Sequence, residues 1–224
     1  MNQPCALEYT HIRCLFLLLL PLPPPRLQDV SGSTAITALV TADKFHVANC
    51  GDSRAVLARG GGVFWGSEDH KPNDPEERGR IEKAGGTVSC KRVDGDLAVS
   101  RSLGDFSYKQ SGSLPAEEQK VSADPVVTPL ERNAAEDEFL ILACDGIWDV
   151  MTNESCAAWI RERLQQESDL GRVCEALLDH CLGLNSRDNM SVAIVVFPAC
   201  KVAATGVHYE EGKTDSSRMI PTGN

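Results

Sequence analysis

The six residues Phe139-Leu140-Ile141-Leu142-Ala143-Cys144 carry no polar side chain, and Asp145-Gly146 follow them at once. Such a segment reads as a strand, Glu138 to Cys144, apolar enough to be buried on both faces. The chain must supply material for both of those faces. Asn153 to about Gln166 reads as an amphipathic helix with Asn153 as its cap, and Ala157, Ile160 and Leu164 fall on one side of it. A second helix opens at Asp169 and runs to about Cys181, and Met190 to Phe197 reads as a further core strand.

Upstream, Thr34 to Val40, Phe45 to Cys50 and Arg54 to Ala58 are apolar and β-branched between turn residues, a pattern that predicts a three-strand meander. Gly60-Gly61-Gly62 reads as a hairpin turn, because it lacks the strand and helix context of a phosphate loop. Pro75 to Ala84 has proline at a helix start, acids in the first turn and Gly85-Gly86 after the last, which predicts a short helix. Thr87 to Ser100 reads as two strands, Ser107 to Lys120 as a polar surface loop and Val126 to Leu130 as another strand. Together these elements predict an α+β domain with a sheet core and helices on its outer face, and Trp148 and Trp159 as part of the core.

The formal net charge is −10, from 22 Lys and Arg against 32 Asp and Glu. That field repels phosphate backbones and anionic headgroups, so nucleic acid and membrane surfaces are not expected partners. It favours a cation or a basic ligand instead. The nine cysteines are scattered, with no C-x-x-C pair, and fit a cytoplasmic or nuclear setting without a disulfide or zinc framework. Cys14 to Leu20, followed by Pro21-Leu22-Pro23-Pro24-Pro25, is apolar enough for a secretory or membrane address, but it is too short to span a bilayer and no small-x-small cleavage site follows. The expected organisation is a leader over 1–28, a globular portion over 29–199 and a polar tail over 200–224.

Aspartates recur where apolar strands end, in Asn49-Cys50-Gly51-Asp52-Ser53-Arg54, Ala143-Cys144-Asp145-Gly146-Ile147-Trp148-Asp149 and Ser186-Arg187-Asp188-Asn189-Met190-Ser191. A carboxylate at the edge of a buried strand is costly unless a cation or donor compensates it. If the three strand ends converge, their oxygens suit Mg²⁺ or Mn²⁺ better than zinc. Local turns and caps account for single aspartates equally well. Arg101 is suited to an anion or to an internal ion pair, and His70 in Asp69-His70-Lys71-Pro72 has no nucleophile motif beside it and reads as structural.

Taken in order, Ser31-Gly32-Ser33-Thr34-Ala35, the segment around Asp52, Asp69-His70-Lys71-Pro72, Ala84-Gly85-Gly86, Leu97 to Phe106, the segment around Asp145 and the segment around Asp188 closely resemble the PPM (type 2C) metal-dependent protein serine/threonine phosphatases, nearest the animal A/B type. The resemblance implies a β-sandwich flanked by helices and a binuclear Mg²⁺ or Mn²⁺ centre, with a weaker third ion site beside it in a complete member. It also implies hydrolysis of phosphoserine and phosphothreonine proteins by a metal-activated water. Asp145 and Asp188 would hold one of the paired ions, and Asp52, Asp145 and Asp149 the third. Asn189 would support Asp188, and Arg101 would lie near the substrate groove. The expected state is a monomer, with Ca²⁺ a poor cofactor.

The family's phosphate-gripping Arg, its Glu-Asp pair and its Asp-Gly-His-Gly-Gly motif do not occur in the 224 residues, so no catalytic residue is assigned and the sandwich is expected to be incomplete on its N-terminal side. Two readings follow. One is a phosphatase whose native form is longer, and the other is an inactive short isoform that binds substrates or partners.

Overall fold

A computed structural model describes residues 30–203, and the leader expected over 1–28 and most of the tail expected over 200–224 lie outside them. In chain order the strands are β1 (Gly32–Ser33), β2 (Ala35–Val40), β3 (Lys44–Cys50), β4 (Arg54–Arg59), β5 (Gly62–Gly66), β6 (Val88–Ser89), β7 (Arg92–Val93), β8 (Leu103–Gly104), β9 (Val126–Glu131), β10 (Asp137–Ala143) and β11 (Val192–Val196). The helices are α1 (Pro75–Lys83), α2 (Asp145–Trp148), α3 (Asn153–Leu164) and α4 (Leu170–Gly183).

Strand β10 is buried on both faces, as its composition requires, and sits inside an antiparallel sheet ordered β11-β10-β4-β5. Phe139, Ile141 and Ala143 point to one side with Val56 and Ala58 of β4 and pack under Ile160, Leu164, Val173 and Leu177 of α3 and α4. Leu140 points to the other side with Ala55 and Leu57 and meets Phe45 and Val47 of a second sheet, ordered β2-β3-β9. The result is an α+β sandwich with helices outside the four-stranded sheet. Among the described residues, β11 and β2 each have a strand neighbour on one side only.

Several local expectations need correction. The meander does not form, because β3 pairs with β2 and β9 while β4 joins the other sheet. The chain changes sheet at Gly51, whose φ of +114° lies in the region open to glycine and closed to most side chains. A Cβ there would also stand 2.4 Å from Thr34 Cγ2. The strand pair expected over Thr87 to Ser100 shrinks to the two-residue ladder β6-β7, interrupted by positive φ at Cys90, Lys91 and Asp94. The expected loop over Ser107 to Lys120 includes short 3-10 turns at Phe106–Tyr108 and Ala116–Glu118.

Thr152, not Asn153, caps α3: its hydroxyl accepts from Ser155 N, and Ser155 Oγ accepts from Thr152 N at 2.9 Å. That reciprocal cap leaves the Asn153 side chain for another use. Trp148 is buried and its indole donates to Ala143 O at 3.0 Å, whereas Trp159 is only half-buried and stacks on the His180 ring at 5.3 Å.

The far end of β10 is fixed by charge. Asp137 is fully buried, accepting from Arg59 Nε at 2.6 Å and from Asn133 N at 2.8 Å, with Arg132 Nε at 4.0 Å. Removing one partner of such a pair leaves the other charge unpaired, at a cost of about 3 kcal/mol. Asp137→Ala is expected to lower the unfolding free energy by that amount in urea titrations, with the denaturant slope unchanged.

Candidate functional site

Three strand ends meet at one edge of the sandwich. Asp52 lies in the turn where the chain leaves β3, Asp145 opens the single-turn helix α2 at the end of β10, and Asp188 precedes β11. Asp149 follows the last residue of α2, four residues after Asp145, so both carboxylates stand on one side of that turn. Gly146 permits the approach of Asp188: a Cβ on it would lie 2.8 Å from Asn189 O and 3.3 Å from Asp188 Cβ. Ser186 Oγ reinforces the contact by donating to Gly146 O at 2.7 Å.

The aspartates expected to act together are therefore within electrostatic reach of one another. The Asp145 carboxyl is held above its usual range by burial first, and then by the like charges of Asp52, Asp188 and Asp149, with Lys71 opposing them. Asp52 is buried and accepts from Lys71 Nζ at 2.5 Å, so the lysine of Asp69-His70-Lys71-Pro72 supplies the compensating cation. Among the described residues, no three His, Cys, Asp or Glu side chains stand close enough to hold a metal ion as placed. Asn189 reaches Asp188 through its backbone, donating N–H to Oδ1 at 2.7 Å.

The turn at Asp52 is held from outside the strand. His70 Nδ1 accepts from Gly51 N at 3.1 Å, and His70 N donates to Gly51 O at 2.9 Å. Burial, and then Arg101, lowers the His70 pKa, which keeps the ring neutral with its proton on Nε2. Arg54 grips both oxygens of Asp69 at 2.9 Å, donates to Asn153 Oδ1 at 2.7 Å and lies over the Trp148 ring. This use of Arg54 and Asn153 leaves no trace in spacing, because the partners are 15 and 99 residues apart.

Arg101 stands apart from the aspartates. Its Nε and Nη2 donate to Glu77 Oε1 at 3.0 and 2.7 Å, and Nη1 donates to Asp124 O at 3.1 Å. Glu77, buried on α1, also accepts from Arg80 and from Ser100 Oγ. Burial alone would raise the Glu77 pKa, but the bonds from Arg101, Ser100 and Arg80 outweigh it and bring it to about 2. A single buried acid thus fixes the Arg101 guanidinium, and nothing in the α1 sequence marks Glu77 over Glu76.

Residues 21–190 match the family model for protein phosphatase 2C. Protein phosphatase 1A of Bos taurus is 49% identical over 184 residues, covering 82% of this chain and 48% of that protein. Protein phosphatase 1B of Mus musculus is 51% identical over 169 residues, covering 75% of this chain and 43% of that one. The crystal structure of a phosphatase from Toxoplasma gondii superposes with a TM-score of 0.65 at 41% identity, over 69% of this chain and 48% of that one. The chain spans about half the length of the curated relatives it matches.

Because the Glu77 pKa is about 2 in the fold against an ordinary 4.5, its charge stabilises the protein above the ordinary value. That contribution is lost as the pH falls from about 4.5 through about 2. Glu77→Gln is expected to cost on the order of 3 kcal/mol at neutral pH and to flatten the acid limb of stability between those limits, read by urea melts across pH.

Proposed function

The chain belongs to the protein phosphatase 2C family, and from that premise we propose that it hydrolyses phosphoserine and phosphothreonine in proteins, using divalent ions bound at the Asp52, Asp145, Asp149 and Asp188 edge. The observation that carries this reading is the convergence on the part-buried Asp145 of three like charges, those of Asp52, Asp188 and Asp149. The donor chemistry fits Mg²⁺ or Mn²⁺, since the side chains are carboxylates without imidazole or thiolate among them. Asp145 and Asp188 would hold one ion, and Asp52 with Asp145 and Asp149 another. The chemistry such an ion would supply there is neutralisation of phosphoryl oxygens and a lowered pKa of water for in-line attack.

The chain's own residues define that edge. Gly146 and Ser186 hold Asp145 beside Asp188, the Asn189 amide orients the Asp188 carboxylate, and His70 and Lys71 hold the Asp52 turn. Arg101, whose guanidinium is held by Glu77, would lie near the substrate groove. Residues 29–199 are assigned as the C-terminal portion of the phosphatase domain, acting as a monomer in the cytoplasm or nucleus. No helix among the described residues is long and apolar enough to cross a membrane.

Phosphate release from a phosphothreonine peptide is expected to require Mn²⁺ or Mg²⁺. Asp145→Asn is expected to lower it by about 100-fold or more, because even groups supporting metal ligands are worth 10–100-fold. Mn²⁺ is expected to raise the melting temperature by linkage, and Ca²⁺ to do so less. Release that survives chelation or Asp145→Asn would overturn the reading. Peptide binding without turnover would favour the substrate-binding regulator.

A further inference from the structure

On the side of the sandwich where β5 and β9 lie, a cleft of about 710 Å³ opens between the sheets, with Asn49, Trp65, Glu68, His70, Glu76 and Thr128 in its wall. Asn49 is 3% exposed. Its amide nitrogen donates to Glu68 O at 2.9 Å and to Gly51 O at 3.3 Å, while Oδ1 meets no donor. Flipping the amide would forfeit both bonds, so a buried acceptor is left over at the cleft. Its shortage is of an N–H group, and that is what a ligand here must bring.

Charge narrows the class. The wall carries five carboxylates, those of Glu68, Asp69, Asp74, Glu76 and Glu77. Asp69 is paired with Arg54, and Glu77 with Arg80 and Arg101. Five acids against three arginines leave an excess of two negative charges, and Glu68 and Glu76 are exposed with no ionic partner. The half-buried Trp65 ring adds an aromatic wall of the kind that stabilises a cation. The His70 ring proton on Nε2 is free to meet a carbonyl, since Nδ1 takes the Gly51 N–H. An unpartnered amide oxygen beside an aromatic wall suits an organic cation, which carries N–H donors and an apolar body together.

We infer that this cleft binds an arginine side chain of a peptide, its guanidinium serving Asn49 Oδ1 and the Glu68 and Glu76 carboxylates beside Trp65, with His70 Nε2 donating to a peptide carbonyl. Guanidinium fits the wall better than ammonium because it is planar, stacks on aromatic faces and spreads five donors over separated acceptors. The volume suits one extended side chain with its flanking backbone. The cleft adjoins the aspartate edge through His70, which also holds the Asp52 turn, but its occupancy does not depend on hydrolysis.

The test is titration of the isotope-labelled chain with acetyl-Gly-Arg-Gly-amide and with its citrulline counterpart, which keeps the shape and lacks the charge. The indole N–H signal of Trp65, assigned by its disappearance in Trp65→Phe, is expected to shift saturably with the arginine peptide. The citrulline peptide is expected to bind roughly tenfold more weakly, and Glu68→Gln with Glu76→Gln to weaken the arginine peptide about fivefold. Both glutamates are exposed, so the double variant is expected to keep the wild-type melting temperature. Equal shifts with both peptides would overturn the inference, as would no shift of Trp65 up to the peptide's solubility limit. So would Mg²⁺ moving the Trp65 signal and displacing the peptide, which would make the cleft a metal-ion site.

Discussion

Because β10 turns Phe139, Ile141 and Ala143 toward the helices and Leu140 toward the second sheet, it cannot be stable unless both layers are in place at once. Everything else is arranged around that demand. Strand β4 shares it, since Ala55, Val56, Leu57 and Ala58 are all fully buried. Two adjacent strands with no wet face form the middle of the molecule, and their ends are the first points at which the chain can carry charge. The aspartates therefore collect at one edge for a structural reason before any chemical one: Asp52 and Asp145 are placed where β3 and β10 stop.

The price of that edge is compensated locally. Lys71 answers Asp52, and the two-way bonding of His70 with Gly51 keeps the sheet-changing turn closed. Asp145 remains the under-compensated member, its carboxyl pressed by three like charges. Such an imbalance is eased by any added positive charge, because each one relieves several repulsions together.

Much of this was legible in the residues. The apolar run before Asp145 announced a doubly covered strand, and the proline and glycine punctuation of α1 and the aspartate at α4 marked helices that form where expected. The sheet change at Gly51 was not legible, because a strand-turn-strand pattern reads the same whether the second strand folds back or crosses to another layer. Thr152 and Asn153 are adjacent polar residues, either able to cap; Thr152 does so through its reciprocal bonds with Ser155, while Asn153 serves Arg54. Glu77 is the plainest case: Arg80 is its neighbour on α1, but burying the acid also depends on Ser100 and Arg101, which arrive from a different part of the fold. The cleft at Asn49 is likewise a product of two sheets meeting.

Arg54 has a consequence beyond its bonds. It joins the loop at Asp69 to the first residue of α3 through Asn153, and it lies against Trp148 of α2. The outer helical layer and the aspartate edge are therefore mechanically one body. A change that tilts α3 moves Asn153, then the guanidinium, then Asp69 and its neighbours Lys71 and Asp52. The helical layer thus becomes a lever on the carboxylates, reaching them through the bonds of a single guanidinium.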